Sequence, residues 1–371
     1  MHILLAPDSF KESLSAKQVA EALKKGFQEA LPDATFDLLP IGDGGEGTMD
    51  TLAGVLNLTK KHTQVTGPFG KPVSMAYYRK DEMAFFEMAS LVGLGSIPAE
   101  KRNPLELETR GIGELILQLV DQGVKTICVG IGGSATNDGG IGMAAGLGVA
   151  FYDDQGHLLR PVGASIGRVA RIDTSAVPKA LQDIELQVLT DVTNPLCGSQ
   201  GATYIFGGQK GLNPLLFPAV DQAMQDFYQL ANARILSMAG AGAGGGMAAG
   251  LVAFAGGQIS SGIEKSLDLI DFNHKVQKAD LVVVGEGRMD LQSLSGKAPV
   301  GVAKRTPEKI PVLAICGSLA EDLPAFPSHH IEAAFSIVPV PCEVADALAH
   351  AERNLISCAR NIGNLLKIKA N

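Results

Sequence analysis

No two cysteines stand at CxxC spacing. The five present, Cys128, Cys197, Cys316, Cys342 and Cys358, are odd in number and scattered, which argues against a disulfide framework and reads as reduced thiols in a cytoplasmic protein. A basic stripe is missing as well. With 31 Lys and Arg against 39 Asp and Glu, a net charge of -8, the chain has no cation cluster to displace the counterions of a nucleic acid, so no nucleic-acid partner is expected. Long hydrophobic runs are equally scarce. The N-terminus reaches Asp8 too soon for a signal peptide. Ile235 to Ile263 is uncharged and places Gly242, Gly246 and Gly250 at GxxxG spacing, yet its many glycines make a poor and weakly lipophilic helix. A glycine loop, GAGAGGG, leading into a short buried helix or strand is expected there, and no membrane partner. Three nucleotide motifs are absent too: GxxxxGK[ST], since Gly296 and Lys297 are followed by Ala298; the protein-kinase catalytic loop; and GxGxxG after a strand. A phosphate bound here needs a less common loop.

What the chain does have is three apolar runs that break into glycines carrying carboxylates. Phe36 to Leu39 precedes GDGGEG (Gly42 to Gly47), Thr126 to Val129 precedes GIGGSATNDGG (Gly130 to Gly140), and Leu281 to Val284 precedes GEGRMD (Gly285 to Asp290). Glycine permits positive φ and lets backbone N–H groups approach an anion, while acids at the same edge can hold a divalent cation. A phosphate and its metal are the expected pairing.

The 371 residues exceed one ordinary core, and 46% hydrophobic residues suffice to fill two. His2 to Ala6 reads as a buried strand, followed by a helix with Ser15 and Gln18 as its capping box and Val19, Leu23, Phe27 and Leu31 on one face. Phe36 to Leu39 is a second strand. The pattern then changes: Val73 to Tyr78 and Phe85 to Met88 read as an antiparallel hairpin, ETRGIGELILQLVDQG as a helix stopped by Gly123, and Ile184 to Thr190 as a further strand. Strands at Leu281 to Val284, Val312 to Ile315 and Phe335 to Val338, with one terminal helix over 343–367, restore the α/β alternation. The expected fold is therefore α/β. A doubly wound, mostly parallel, Rossmann-like or flavodoxin-like sheet domain comes from both chain ends (1–64 and 268–371), with an inserted mixed α+β domain (65–267) and an active-site cleft between them. An apolar face on the terminal helix would allow a homodimer.

In GIGGSATNDGG, Ser134, Thr136 and Asn137 add side-chain donors to the glycine backbone, and a helix from Ile141 could aim its positive end at the same point. Asp43 and Glu46 in GDGGEG, Asp191 and Asn194 in DVTNPL, and Glu286 and Asp290 in GEGRMD put acids at several strand ends. Oxygen ligands without a His or Cys cluster suit Mg²⁺ better than Zn²⁺. Lys11, Lys210, Arg288 and Lys297 are the nearby cations. Lys11 and Arg288 stand out because both lie just past strand ends, where open α/β sheets collect ligands.

APDSFKESLSA (Ala6 to Ala16), DGGEGT (Asp43 to Thr48), GIGGSATNDGG, DVTNPLCG (Asp191 to Gly198), FGGQKG (Phe206 to Gly211), GEGRMD and SGKAPVGVA (to Ala303) together resemble the bacterial glycerate kinases of the single-chain type, in order along nearly the whole chain. Gly42 and Gly208 depart from the alanine and proline usual in that pattern. The resemblance implies transfer of the ATP γ-phosphate to a hydroxyl of D-glycerate with Mg²⁺, the 2-hydroxyl favoured, in catabolism of glycerate, glyoxylate or sugar acids. Phosphoryl transfer needs an oriented hydroxyl and cations on the phosphate oxygens. On that footing Gly132, Gly133, Ser134, Thr136, Asn137, Lys210 and Lys297 are expected at ATP, and Asp43, Glu46 and Glu286 at Mg²⁺. Asp8, Ser9, Lys11, Arg288 and Asp290 are expected at glycerate, with Asp191 as base and Lys11 and Arg288 assisting catalysis. A nicotinamide-dependent hydroxy-acid oxidoreductase and a non-catalytic two-domain metabolite binder are the alternatives.

Overall fold

The computed structural model describes every residue except Asp43, Gly44, Glu46, Ser295 and Asn371, and leaves the side chains of Lys369 and Ala370 aside. The chain divides into two compact units. The first comprises Met1–Asp43, Asp50–Asn57 and Gly262–Asn371, the second Gly44–Met49 and Leu58–Ser261. The second unit thus takes in Gly44–Met49 and starts again at Leu58, ahead of the boundary expected at 64/65, and it ends at Ser261, ahead of that expected at 267/268.

The first unit holds a five-stranded sheet in the order β15 (Ala333–Ser336), β13 (Val312–Cys316), β11 (Leu281–Gly285), β1 (His2–Pro7), β2 (Thr35–Leu38). Every pairing is parallel. The cause is legible in β1 and β11, whose runs ILLA and LVVV are buried throughout, as strands covered on both faces must be. Helix Ala16–Ala30 starts on the expected capping box, with Ser15 N–H donating to Gln18 Oε1 at 2.9 Å and Gln18 N–H to Ser15 Oγ at 3.4 Å. Val19, Leu23 and Phe27 bury its inner face. On the same helix, a Cβ at Gly26 would stand 2.3 Å from the carbonyl oxygen of Ile356, so glycine there lets helix Ala351–Ala370 close onto it. The single terminal helix expected over 343–367 is instead two, Val344–Ala349 and Ala351–Ala370, parted at His350. The shorter piece buries none of its residues, so no apolar stripe aligns it with the longer one.

The second unit holds a six-stranded mixed sheet in the order β10 (Gln258–Ser260), β9 (Glu185–Leu189), β6 (Thr126–Gly130), β5 (Met83–Glu87), β4 (Pro72–Lys80), β3 (Thr59–Thr66). The first four run parallel, and the pairings β5–β4 and β4–β3 are antiparallel. The expected hairpin is β4–β5, turning at Asp81 with a φ of 51°. Sequence patterning did not suggest β3, because TKKHTQVT buries only Val65. It is held by its ladder with β4 and by Glu114, which accepts from the backbone N–H and the hydroxyl of Thr66 at 2.7 and 2.8 Å. Helix Arg110–Asp121 stops just before Gly123, whose φ of 78° makes it the left-handed residue past the helix end. Two small sheets complete the fold: β7 (Ala150–Tyr152) with β8 (Arg171–Asp173), and β12 (Arg288–Met289) with β14 (Ser318–Leu319). Among the described residues no helix is long and apolar enough to cross a membrane.

Candidate active site

In the first unit the parallel strands β1, β11 and β13 end along one sheet edge, where α/β proteins gather chemistry. The loops that follow them are laced together by their backbones. Asp8 N–H donates to Gly285 O at 2.8 Å, Gly317 N–H to Glu286 O at 3.0 Å, and Ser318 N–H to Gly287 O at 3.0 Å. A Cβ at Gly317 would lie 2.2 Å from Gly287 O, and one at Gly287 would lie 3.3 Å from Lys11 N. These glycines therefore bring Asp8, Ser9, Lys11, Glu286 and Arg288 to one edge. Lys11 and Arg288 are exposed, Asp8 and Ser9 half-buried, and Glu286 buried. Ser9 N–H donates to Asp8 Oδ1 at 2.6 Å.

Two residues in these loops behave in ways the sequence did not announce. Glu12 sits at the tip of a tight turn closed by Phe10 and Leu14, with a φ of 64° that costs a non-glycine residue energy and singles this turn out. Asp290 is largely committed to its own chain: its Oδ1 accepts from Gln292 N–H at 2.9 Å and Ser293 N–H at 3.1 Å, capping the short helix Leu291–Leu294. Partial burial disfavours its ionised form, but those donors and the Lys297 ammonium outweigh it and hold the carboxyl below the usual range. Lys297 thus lies beside Asp290 within the first unit. A groove of about 770 Å³, lined by Lys25, Ser336, Arg353 and Asn354 among others, borders none of the strand-end candidates.

In the second unit β5, β6, β9 and β10 end together, bringing forward Glu87, the loop 130–140, Asp191 and Ser261. Asp191 is half-buried, and its Oδ1 accepts from Ser261 Oγ at 2.7 Å. Asn194 donates its side-chain amide to Gln200 O at 2.8 Å, which fixes its own loop. Glu87, absent from the expected set, is buried and accepts from Gly47 N–H at 3.1 Å and Met49 N–H at 2.8 Å, tethering the end of GDGGEG. A carboxylate closing the apolar strand MAFFE was the signal available. Asp43 and Glu46 themselves lie outside the described residues. Among those described, no group of three acidic, histidine or cysteine side chains gathers as a metal site.

The loop 130–140 is mostly sealed. Ser134 to Gly140 are all buried, leaving Gly132 half-buried and Gly133 exposed. Its glycines meet those of the uncharged segment backbone to backbone: a Cβ at Gly140 would stand 2.9 Å from Gly250 Cα, and one at Gly245 only 2.1 Å from Thr136 O. Gly139 N–H donates to Gly245 O at 3.0 Å. Those two glycine-rich stretches are built to pack on each other. The expectation that the helix at Ile141 aims a positive end at an anion fails for a local reason. Gly140 and Gly142 N–H donate to Asp138 at 3.1 and 3.3 Å, and Met143 N–H to Thr109 Oγ1 at 2.9 Å.

Asp138 is wholly buried, and burial pushes its carboxyl up despite the bonds from Thr109, Gly140 and Gly142 and the attraction of Lys210. Lys210 faces inward, 3% exposed. Its Nζ donates to Ser134 Oγ at 2.9 Å and to Thr136 O at 2.7 Å. Burial lowers its pKa to about 7, with Asp138 pulling the other way. Asn137 donates to Thr203 Oγ1 at 3.0 Å.

A sequence model of the glycerate kinase family matches residues 3–367. The chain belongs to that family. It is 56% identical to a glycerate kinase of Neisseria meningitidis over 99% of each chain. To the glycerate 2-kinase of Escherichia coli it is 40% identical, covering 99% of this chain and 98% of that one. The crystal structure of a glycerate kinase 2 from Salmonella typhimurium superposes with a TM-score of 0.86 at 41% identity, covering 100% of this chain and 99% of the other. In FGGQKG, one of the segments that resemble the glycerate kinases, the lysine points into the unit. Its unusual Gly208 is exposed, and a Cβ there would have Phe217 Cζ, at 3.8 Å, as its nearest neighbour.

Proposed function

We propose that this chain transfers the γ-phosphoryl group of ATP to D-glycerate, with the 2-hydroxyl as acceptor. The observation that carries the reading is the match to glycerate kinases over essentially the full length, one of them named a glycerate 2-kinase. Two exposed cations, Lys11 and Arg288, in the loops at the sheet edge of an acidic chain support it. In this reading Lys11, Arg288 and Ser9 meet the glycerate carboxylate or the transferring group, with Asp8 and Asp290 shaping the same loops. The Gly132–Gly133 turn, backed by Ser134, Thr136 and Asn137, takes the ATP phosphates. Asp43, Glu46 and Glu286, all oxygen donors, would hold Mg²⁺, which supplies charge neutralisation on the phosphate oxygens. Asp191 is assigned as the acceptor that orients the hydroxyl and takes its proton, with Ser261 fixing its rotamer.

The test is ADP release that depends on D-glycerate. A nicotinamide-dependent oxidoreductase would instead reduce NAD⁺ or NADP⁺ with glycerate, and a binding module would take up glycerate without consuming ATP; either result sinks the reading. Asp191→Asn should then lower kcat by about 10² to 10⁴ with the fold intact by circular dichroism. Near-normal turnover would remove Asp191 from the role of base.

A further inference from the structure

We propose that Lys210 is a positioning residue: sealed inside the second unit, its ammonium fixes Ser134 and Thr136 and so sets the shape of the exposed Gly132–Gly133 turn, touching neither nucleotide nor glycerate. The inference rests on the reading that this turn receives the ATP phosphates. Its structural part, that Lys210 is an internal strut, does not.

The turn is clamped from several sides. Ile131 N–H donates to Leu189 O at 3.4 Å, Leu94 N–H to Gly133 O at 2.8 Å, and Ala135 N–H to Val92 O at 2.8 Å. Lys210 supplies a further clamp by reaching back more than 70 residues to Ser134 Oγ and Thr136 O. Its own position is fixed by the short helical turn Gly208–Lys210, which ends at Gly211 with a φ of 93°; there Leu212 N–H donates to Gly207 O at 3.0 Å. A lysine meant to follow a ligand would hang on a mobile stem with its head in water.

Ser134 Oγ and Thr136 O accept from the Lys210 Nζ, and the buried carboxyl of Asp138 attracts it. A buried carbonyl that loses its donor is left unsatisfied, which is costly. Moving Lys210 out to a phosphate would break both hydrogen bonds, one of them to that buried carbonyl.

The experiment uses the full chain. Wild-type protein is treated with an amine-acylating reagent with and without MgATP, and Lys210 is followed by peptide mass spectrometry; the Lys210→Met variant is carried through steady-state kinetics and amide hydrogen exchange. Lys210 should stay unmodified in both states. In Lys210→Met, the KM for ATP should rise by about 10- to 100-fold, the cost typical of a group misplaced from a distance, while the KM for D-glycerate moves less than about twofold. Exchange should accelerate at Gly132 to Ala135 and not at β1 or β11. Acylation of Lys210 in the free protein that MgATP suppresses would show direct contact and overturn the proposal. So would an unchanged KM for ATP, or a rise confined to the KM for glycerate. If Lys210→Met fails to fold, the acylation result on the wild type decides. If the wild type shows no glycerate-dependent ADP release, the proposed function fails, and acylation together with exchange still decides whether Lys210 is a strut.

Discussion

Both units end parallel strands in glycine-bearing loops, yet they use glycine for opposite ends. In the first unit Gly287 and Gly317 draw three loops against one another and leave Lys11 and Arg288 facing water. In the second, Gly139, Gly140, Gly245 and Gly250 press two loops together and turn Thr136, Asn137, Asp138 and Lys210 inward. Density of glycine therefore reports close backbone approach without saying what approaches. In one loop set it is a neighbouring loop that presents side chains; in the other it is a neighbouring loop that hides them.

Substitutions in the two regions should consequently fail in different ways. The largest effect is expected at Arg288→Ala, which should lower kcat/KM on the order of 10³-fold by removing a cation from the transferring group, with thermal unfolding unchanged. A matching loss of stability would erase the contrast. Gly245→Ala should do the reverse. With a φ of 72° and a Cβ that would fall 2.1 Å from Thr136 O, it should cost about 3 kcal/mol in urea unfolding. A neutral result would mean that the loop pair has room the packing denies.

A subtler difference separates the sealed lysine from the exposed one. Because burial lowers the Lys210 pKa from 10.5 to about 7, the unfolded chain binds more protons than the folded one between those values, and this group's contribution to stability grows as pH rises. Below pH 7 both states carry the proton and the penalty of burying the charge is fully present. The window to use is pH 7 to 9, because Cys197 and Tyr228, also raised by burial, complicate the range above. The stability of the wild type relative to Lys210→Met should rise with pH there, by at most about 1.4 kcal/mol per unit. A pH-independent difference between the two proteins would place Lys210 in water.

The sequence made much of the frame legible for identifiable reasons. Buried parallel strands are continuous apolar runs, so β1, β11 and β13 stood out, and the Ser15–Gln18 box marked its helix start because both partners are local. β3 did not stand out, since its stability comes from Glu114 and the β4 ladder rather than from its own side chains. The loop 130–140 was visible as a glycine-rich feature, but which of its residues face water depends on Gly245 and Lys210, far along the chain. Asp290 looked like a ligand and is also a helix cap; Glu87, unremarked inside the strand expected at Phe85 to Met88, tethers a loop.

Phosphorus NMR of the product formed from ATP, Mg²⁺ and D-glycerate tests the proposed reaction most directly. A single phosphate monoester resonance coupled to one proton, that of 2-phosphoglycerate, is expected. A resonance coupled to a methylene pair would move the phosphate to the 3-position and contradict the proposed acceptor, and no phosphoglycerate at all would contradict the proposed function.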